Sequence, residues 1–274
     1  EPGDEVIMPA HTFAASAIPF ARGGAKIVWA DIDPDSWLST AQTIEPLIGP
    51  RTKAIVLVHL YGQVSDLDPI LALAAKHDLR VIEDVAQAIG ANYKGRAAGS
   101  IGDFGCFSFH THKNISTLGE GGMLTVKRDE DAALIPGLRH NGMRAFEGER
   151  EDYWLPAMSN VDIDIDGIWP NNFCIGEIQC ALGTKLLERL DEINAQRRQR
   201  GLMIREALSD YPELVFQHQT AGSESTYHLL PARYDGSETG ATRNEFMRLL
   251  AYEYGIRVVV QYYPLYRYPL FQKF

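Results

Sequence analysis

The first half of this 274-residue chain alternates short apolar runs with segments of helical periodicity, and this alternation restricts the fold more than any other feature. Each run is rich in Val, Ile or Phe, as the buried strands of parallel sheets are. The clearest helical segment is residues 66–76, where Asp66 can act as the cap. Its apolar face is expected to consist of Leu67, Ile70, Leu71 and Ala74. The strand candidates are residues 6–8, 26–30, 54–59, 81–84, 106–109 and 123–126.

Strand–helix alternation of this kind predicts an α/β fold with a mainly parallel sheet between helices. In such folds the active site lies outside the carboxyl ends of the strands. The residues that directly follow the strand candidates are therefore the ones to examine for chemistry.

The pattern changes after Gly167, and residues 176–208 form a strongly helical stretch. A small α/β unit follows, in which Thr242 and Glu245 have capping-box spacing. Its expected elements are a strand over 227–232, a helix over 242–254 and a strand over 256–261. We predict a large domain over 1–175, a long connecting helix over 176–210 and a small C-terminal domain over 211–274. The chain opens directly into a strand and closes on an apolar segment, so both ends are expected to be truncated.

Composition excludes several classes of function. The formal net charge is −10 and no basic stripe occurs, which argues against nucleic acid as a partner. No apolar run is long enough to cross a membrane. The three cysteines have no metal-ligand spacing and fit a reduced, cytoplasmic enzyme. The alternating Asp162, Asp164 and Asp166 lack the glycine and the distal glutamate of a calcium loop, so no metal site is expected.

An acid and an amide follow the fourth strand candidate, in Val81-Ile82-Glu83-Asp84-Val85-Ala86-Gln87. A carboxylate at a strand end, with an amide nearby, can form hydrogen bonds to two edges of a polar heteroaromatic ligand. The alternative is that Asp84 only caps a following helix, and for this segment alone the two interpretations are equally strong.

A lysine follows the fifth strand candidate, in Ser108-Phe109-His110-Thr111-His112-Lys113, and leads into the glycine-rich segment 119–122. A lysine at the strand ends can lose solvent, which lowers its pKa and makes the amine nucleophilic towards aldehydes such as pyridoxal phosphate (PLP). The glycines would let the backbone approach a ligand closely. The alternative is a solvated loop lysine before an ordinary turn.

These features, together with the Asn171-Asn172-Phe173-Cys174 segment before the long helix, occur in an order that resembles the DegT/DnrJ/EryC1/StrS family of PLP-dependent sugar aminotransferases. The resemblance covers nearly the whole chain. It implies the aspartate aminotransferase-like fold, with a mainly parallel seven-stranded sheet and a small C-terminal α/β domain. The matching segments are residues 3–9, Thr12-Phe13, 50–55, 59–62, 82–87, 108–113, 119–122, 176–183 and 263–265.

The resemblance assigns roles to six residues. It makes Lys113 the Schiff-base lysine, and Asp84 the carboxylate that keeps the pyridine nitrogen of PLP protonated. The other four would bind the cofactor: Gln87 its phenolic oxygen, Ser108 its phosphate, Phe13 the face of its ring, and Asn172 the phosphate bound by a neighbouring subunit.

The activity implied by the resemblance is the conversion of a nucleotide-linked keto-sugar to an amino-sugar, with glutamate as donor. Such a reaction belongs to cell-surface polysaccharide or secondary-metabolite biosynthesis, and a shared site would require a homodimer. Three positions depart from the family pattern. Cys174 replaces the usual arginine, Gln261 replaces a common histidine, and residues 139–142 read Arg-His-Asn-Gly.

Two rival functions remain open. In sugar dehydratases of the same family a histidine replaces the lysine, and His112 lies directly beside that position. Counting five residues on from Ser108 reaches Lys113, which favours the aminotransferase. The second rival is a non-catalytic PLP-binding regulator, since fold alone does not fix function. It would be expected to lack Lys113, Asp84 or Gln87, or to carry an attached DNA-binding segment.

Overall fold

A computed structural model describes residues 1–143, 161, 165 and 167–273. Its strands are β1 (Glu5–Pro9), β2 (Lys26–Ala30), β3 (Thr52–Val58), β4 (Arg80–Asp84), β5 (Asn92–Tyr93), β6 (Arg96–Ala97), β7 (Phe104–Ser108), β8 (Gly122–Val126), β9 (Leu214–Phe216), β10 (Ser223–Glu224) and β11 (Ala232–Tyr234). Its α-helices are α1 (Ile18–Arg22), α2 (Ala41–Ile44), α3 (Leu67–Lys76), α4 (Asp129–Arg139), α5 (Glu177–Leu187), α6 (Leu190–Ala207) and α7 (Arg243–Glu253). Short 3₁₀ turns occur at Ala14–Ser16, Glu45–Leu47, Leu60–Gly62 and Leu265–Arg267.

The central sheet has the strand order β2-β1-β3-β4-β7-β8. Its first five strands are parallel, and β8 runs antiparallel to β7. The α/β class and the mainly parallel sheet are confirmed, with six strands in the described part of the chain rather than the expected seven. The carboxyl ends of β1, β3, β4 and β7 therefore meet at one edge of the sheet.

The core fills both faces of this sheet, which explains why its strands read as continuous apolar runs. Successive residues of a strand point to opposite faces. Ile7 and Ile55 accordingly pack with α3 on one face, whereas Val6 and Met8 pack on the other. Helix α3 begins after Asp66, as expected, but the Asp66 carboxylate accepts a hydrogen bond from the Tyr93 hydroxyl and caps no amide. Leu73 is buried in α3, and Leu71, expected on the apolar face, is only half-buried.

The second half of the chain differs from the prediction in three places. The single connecting helix is two helices, α5 and α6, separated at Glu188 and Arg189. The apolar spacing of Leu186, Leu190 and Ile193 continues across this break, so periodicity could not reveal it. The expected strand at 227–232 is replaced by the shorter β11, and residues 256–261 form no strand.

Helix α7 does have the expected capping box between Thr242 and Glu245. None of the helices in the described part of the chain is long and apolar enough to span a bilayer. The division of the chain into domains stays a prediction.

Glu83 in β4 is completely buried and ties the sheet to the loop that precedes β7. Its Oε1 accepts hydrogen bonds from the amides of Ile101 (2.8 Å) and Gly102 (2.7 Å). Its Oε2 accepts from the Gly99 amide (2.8 Å) and contacts His59 Nε2 (2.9 Å). Burial by itself raises the pKa of Glu83, but the hydrogen bonds from His59 and the glycine amides outweigh it and hold the pKa at about 2. The carboxylate therefore stays ionised inside the core.

We predict that Glu83→Gln destabilises the fold by about 3 kcal/mol, because an amide cannot accept all four bonds and leaves buried donors unpaired. The pH dependence should change as well. A folded pKa of about 2 against an ordinary 4.5 contributes stability above pH 4.5 that is lost as the pH falls towards 2. This component amounts to about 3 kcal/mol in the wild type and is absent from the variant. Urea unfolding at several pH values measures both effects.

The matched control is Glu45→Gln, because Glu45 is exposed and pairs with the exposed Lys76 at 3.2 Å. It should change the free energy of unfolding by less than about 1 kcal/mol. Equal effects of the two substitutions would contradict the structural role given to Glu83.

Candidate active site

Three of the residues expected to form a site lie at the carboxyl edge of the sheet. Asp84 is the last residue of β4 and Ser108 is the last residue of β7. The two strands are adjacent and parallel, with Asp84 opposite Cys106. Lys113 follows in the loop between β7 and β8, where its amide donates to the carbonyl of His110 at 2.9 Å. The sheet topology thus brings the acid and the lysine to one place.

Asp84 is held by one hydroxyl and one backbone amide. Its Oδ2 accepts a hydrogen bond from Ser16 Oγ at 2.7 Å, and its Oδ1 accepts from the Ala86 amide at 3.0 Å. The Ser16 hydroxyl is also 2.9 Å from that of Thr12. No helix begins between Asp84 and β7, so the interpretation of Asp84 as a helix cap is wrong. The bond to Ala86 is the local turn that aspartate side chains commonly form.

Gln87 is buried, and its amide has one fixed orientation. Its Oε1 accepts the Tyr61 backbone N–H at 2.7 Å. Because a backbone N–H can only donate, the oxygen must lie on that side and Nε2 must point the opposite way. There Nε2 donates to the phenolic oxygen of Tyr262 at 2.8 Å. The structure therefore presents an amide donor that already holds a phenol.

Aromatic side chains form one wall beside Gln87. The rings of Tyr61 and Tyr262 are almost parallel, with centroids 6.2 Å apart. Phe13 is 61% exposed, and its ring centroid lies 6.4 Å from that of Tyr262. The Tyr61 hydroxyl donates to the Gln261 carbonyl at 2.9 Å and lies 3.0 Å from His11 Nε2. Tyr61 has a left-handed φ of 64°, an unfavourable conformation that these bonds and the bond to Gln87 hold in place.

Lys113 is half-buried, whereas the neighbouring His112 is exposed. Burial lowers the pKa of Lys113 below that of an ordinary lysine, and the negative charge of Asp84 offsets part of this effect. Of these two residues, Lys113 is therefore the one that is partly withdrawn from solvent and subject to the charge of the half-buried Asp84. A lowered pKa leaves more of the amine unprotonated and able to act as a nucleophile or a base.

Ser108 and Asn172 have weaker links to this cluster. Among the described residues, the His110 amide is the one group that donates to Ser108 Oγ, at 3.3 Å, although the position of Ser108 at the strand end is as expected. Asn172 is exposed, and its Oδ1 accepts the amide of Cys174 at 3.3 Å. The structure does not bring it to Asp84 or Lys113 within one chain. The roles predicted for all six residues in binding a cofactor stay predictions.

Sequence reasoning missed four residues of the cluster. Tyr61 lies in the His59–Gly62 segment, which was recognised as a motif without a role for its aromatic ring. Tyr262 adjoins Gln261, which was noted only as a departure from the family pattern. Ser16 carries no signal, because it reaches the site through contacts with residues distant in the sequence. His228, which contacts Asn114 beside Lys113, is expected from the sequence only as a core or pocket-lining histidine at a strand position.

No group of three His, Cys, Asp or Glu side chains that could hold a metal ion occurs among residues 1–143 and 167–273. Asp162, Asp164 and Asp166, considered above as a calcium loop, lie outside the described residues.

Comparison with known proteins gives consistent matches. A model of the DegT/DnrJ/EryC1/StrS aminotransferase family matches residues 1–274. The chain is 37% identical over 272 residues to the spore coat polysaccharide biosynthesis protein SpsC of Bacillus subtilis, and the alignment covers 99% of this chain and 68% of SpsC. It is 45% identical over 196 residues to the GDP-perosamine synthase of Caulobacter vibrioides, and this alignment covers 72% of this chain and 48% of that enzyme.

A solved structure agrees in fold along nearly the whole chain. The aminotransferase from Psychrobacter cryohalolentis superimposes with a TM-score of 0.87 at 30% identity, covering 98% of this chain and 70% of that one. The present chain thus spans 48% to 70% of the length of these three proteins.

We predict that Asp84→Asn lowers the pKa of Lys113 by about one unit, because it removes the negative charge that favours the ammonium form. The pH dependence of Lys113 acetylation by a trace of acetic anhydride, read by mass spectrometry in the cofactor-free protein, measures this pKa. Asp68→Asn is the control, since Asp68 is exposed and pairs with the exposed Lys94. If Asp84→Asn leaves the titration of Lys113 as unchanged as Asp68→Asn does, Asp84 and Lys113 do not interact.

Proposed function

The chain belongs to the DegT/DnrJ/EryC1/StrS aminotransferase family, and on that premise we propose that it is the catalytic part of a PLP-dependent enzyme that aminates a keto-sugar. The acceptor is nucleotide-linked and the amino donor is glutamate. The observation that carries the proposal is the arrangement of Asp84, Gln87 and Lys113 at one edge of the sheet. The names of SpsC and of the GDP-perosamine synthase support a sugar acceptor for this chain.

The side chains fit PLP by the chemistry of their present partners. Asp84 Oδ2 accepts a hydroxyl proton from Ser16, and it can accept a pyridinium N–H in the same way. Gln87 Nε2 donates to the phenolic oxygen of Tyr262, which is the kind of oxygen that the PLP ring carries. The exposed Phe13 has a free face beside the Tyr262 ring. A 4-formyl-3-hydroxypyridine therefore finds an acceptor, a donor and an aromatic neighbour.

Each predicted site residue has a defined task in this proposal. Lys113 would hold the cofactor covalently, Ser108 would bind its phosphate, and Asn172 would reach the phosphate bound by a second subunit. When bound, PLP supplies an aldehyde that exchanges amino groups and a cationic ring that withdraws electrons from the reacting carbon.

Lys113 is suited to move the proton in the reaction. Its lowered pKa increases the fraction of free amine that can act as a base, and the resulting ammonium can return the proton to a neighbouring carbon. Asp84 contributes a fixed negative charge beside it, oriented by Ser16 and the Ala86 amide. The rings of Phe13, Tyr61 and Tyr262 make that side of the site apolar.

The dehydratase alternative requires a histidine in place of the lysine, and the exposure of His112 disfavours it. Lys113 is half-buried, and the negative charge of Asp84 acts on its pKa. The regulator alternative is disfavoured because Lys113, Asp84 and Gln87 are all retained.

A homodimer completes the proposal. Asn172 is exposed, and so are the large apolar side chains of Trp169, Phe173 and Ile178, which are close to it in the sequence. Exposed apolar side chains of this kind are common at interaction sites. A second copy that covers this segment would receive Asn172 into its own site.

We propose a cytoplasmic location, because Cys106, Cys174 and Cys180 are free thiols, as is usual in a reducing compartment.

The main test is Lys113→Ala. We expect amino transfer from glutamate to a nucleotide-linked keto-sugar to fall by about 10³-fold or more, because both the covalent attachment and the proton carrier are lost. Borohydride reduction of the wild type with PLP, followed by peptide mapping, should place the cofactor on residue 113. Lys76→Ala is the matched control, since Lys76 is exposed on α3.

Attachment of PLP to a residue other than Lys113 would contradict the assignment. A product that has lost oxygen without gaining nitrogen would favour the dehydratase. Binding of PLP with no reaction on any keto-sugar or on glutamate would favour the regulator.

The shared site predicts complementation between two inactive variants. When Lys113→Ala and Asn172→Asp subunits are unfolded together and refolded, half of the dimers are mixed. Each mixed dimer holds one site with both native residues, so about a quarter of the wild-type activity should return.

The control is to refold each variant alone, which should restore no activity. A mixture that stays inactive, while light scattering shows that it is dimeric, would contradict the contribution of Asn172 across the interface.

A further inference from the structure

A chain of hydrogen bonds connects the residue after Lys113 to helix α6. Asn194 of α6 donates from Nδ2 to the Ile89 carbonyl at 2.9 Å. A carbonyl only accepts, so Asn194 Oδ1 must be the atom that faces Asn114, whose Nδ2 donates to it at 3.0 Å. Asn114 Nδ2 also donates to the Thr226 carbonyl at 3.2 Å. Two backbone carbonyls thus fix the orientation of both amides.

The same chain determines the tautomer of His228. With Nδ2 of Asn114 directed at Asn194 and Thr226, its Oδ1 is the atom that lies 3.2 Å from His228 Nδ1. An amide oxygen only accepts, so Nδ1 of His228 must carry the hydrogen. In a neutral imidazole the other nitrogen, Nε2, is then an acceptor. Among the described residues neither His228 Nε2 nor Lys113 Nζ has a hydrogen-bond partner.

Helix α6 also fixes the backbone that carries His228. Arg197 lies one turn after Asn194, so both side chains leave the same face of the helix. Its Nη1 donates to the carbonyls of Tyr227 and His228 at 3.3 and 3.4 Å. The next turn carries Gly201, where a Cβ would come within 2.4 Å of the Tyr227 ring. One face of α6 therefore sets the position of residues 226–228.

The charges around His228 agree with a neutral ring. Burial lowers its pKa to about 4, and the positive charges of Lys113, Arg197 and His112 add to this effect. Lys113 has the strongest effect of these three groups. Asp84 is the acid that acts on Lys113. His228 thus stays uncharged over the range in which Lys113 titrates.

We propose that His228 is a positioning residue for Lys113, held by Asn114 and Asn194 as the Nδ1–H tautomer so that its bare Nε2 accepts a hydrogen bond from the free Lys113 amine. In the catalytic cycle this bond would keep the displaced amine beside the reacting carbon. That use rests on the proposed function, whereas the proposed pairing of these two groups, neither of which has a partner among the described residues, does not.

The test uses the full chain without cofactor, sugar or glutamate, so it is independent of whether the protein is an aminotransferase. Acetylation of Lys113 by a trace of acetic anhydride is followed across pH, with the exposed Lys53 as an internal reference in each sample. His228→Leu removes the acceptor and should lower the pKa of Lys113 by about half a unit, which raises the reactive fraction about threefold at fixed pH. His228→Gln, whose side-chain oxygen can accept, should return the titration towards that of the wild type.

Identical titrations in all three proteins would overturn the proposal. So would a His228→Gln titration equal to that of His228→Leu, because it would indicate a packing effect alone. A second measurement does not depend on whether a variant folds, because it uses the wild-type protein. The ¹⁵N chemical shifts of the wild-type imidazoles report the tautomer directly. Nδ1–H with bare Nε2 at neutral pH is expected for His228, and the opposite tautomer would overturn the proposal.

Discussion

The buried carboxylate of Glu83 organises the edge of the sheet on which the site is built. It receives hydrogen bonds from three amides of the loop that precedes β7 and contacts His59 at the end of β3. Three consecutive strands of the sheet are thereby held in one register. Asp84 is the next residue of β4 and points to the opposite face, because strand side chains alternate. The bonds that fix Glu83 on one face of the sheet therefore also fix where Asp84 lies along β4 and that it points to the other face.

The site above this edge is held by contacts between distant parts of the chain. The Asp84 carboxylate is oriented by Ser16, 68 residues away, and the Gln87 amide by the Tyr61 backbone, 26 residues away. Asn114, beside Lys113, is fixed by Asn194, 80 residues away. Each bond has a single allowed donor direction, so the site is prearranged without a ligand. Prearranged donors and acceptors bind without the cost of ordering them first.

These long-range contacts explain how much the sequence could predict. The six strands of the central sheet were found to within two residues at either end, because strands buried on both faces carry a strong local signal. The run Val258-Val259-Val260 carries the same signal but is exposed and forms no strand, since propensity does not supply a pairing partner. Asp84, Gln87 and Lys113 were found from their positions after strands. Ser16 and His228 were not, because their partners are set by folding and not by spacing.

The substitution at Cys174 illustrates the same difference between sequence position and spatial position. The sequence suggests that a positive charge is missing there, because related proteins usually have arginine. In the structure the guanidinium of Arg139, at the end of α4, lies 3.5 Å from Cys174 Sγ. The positive charge that residue 174 lacks is thus supplied beside it by Arg139 of α4. Since electrostatic effects depend on distance and solvent exposure and not on chain order, the local charge at residues 171–174 is better judged from α4 than from residue 174 alone.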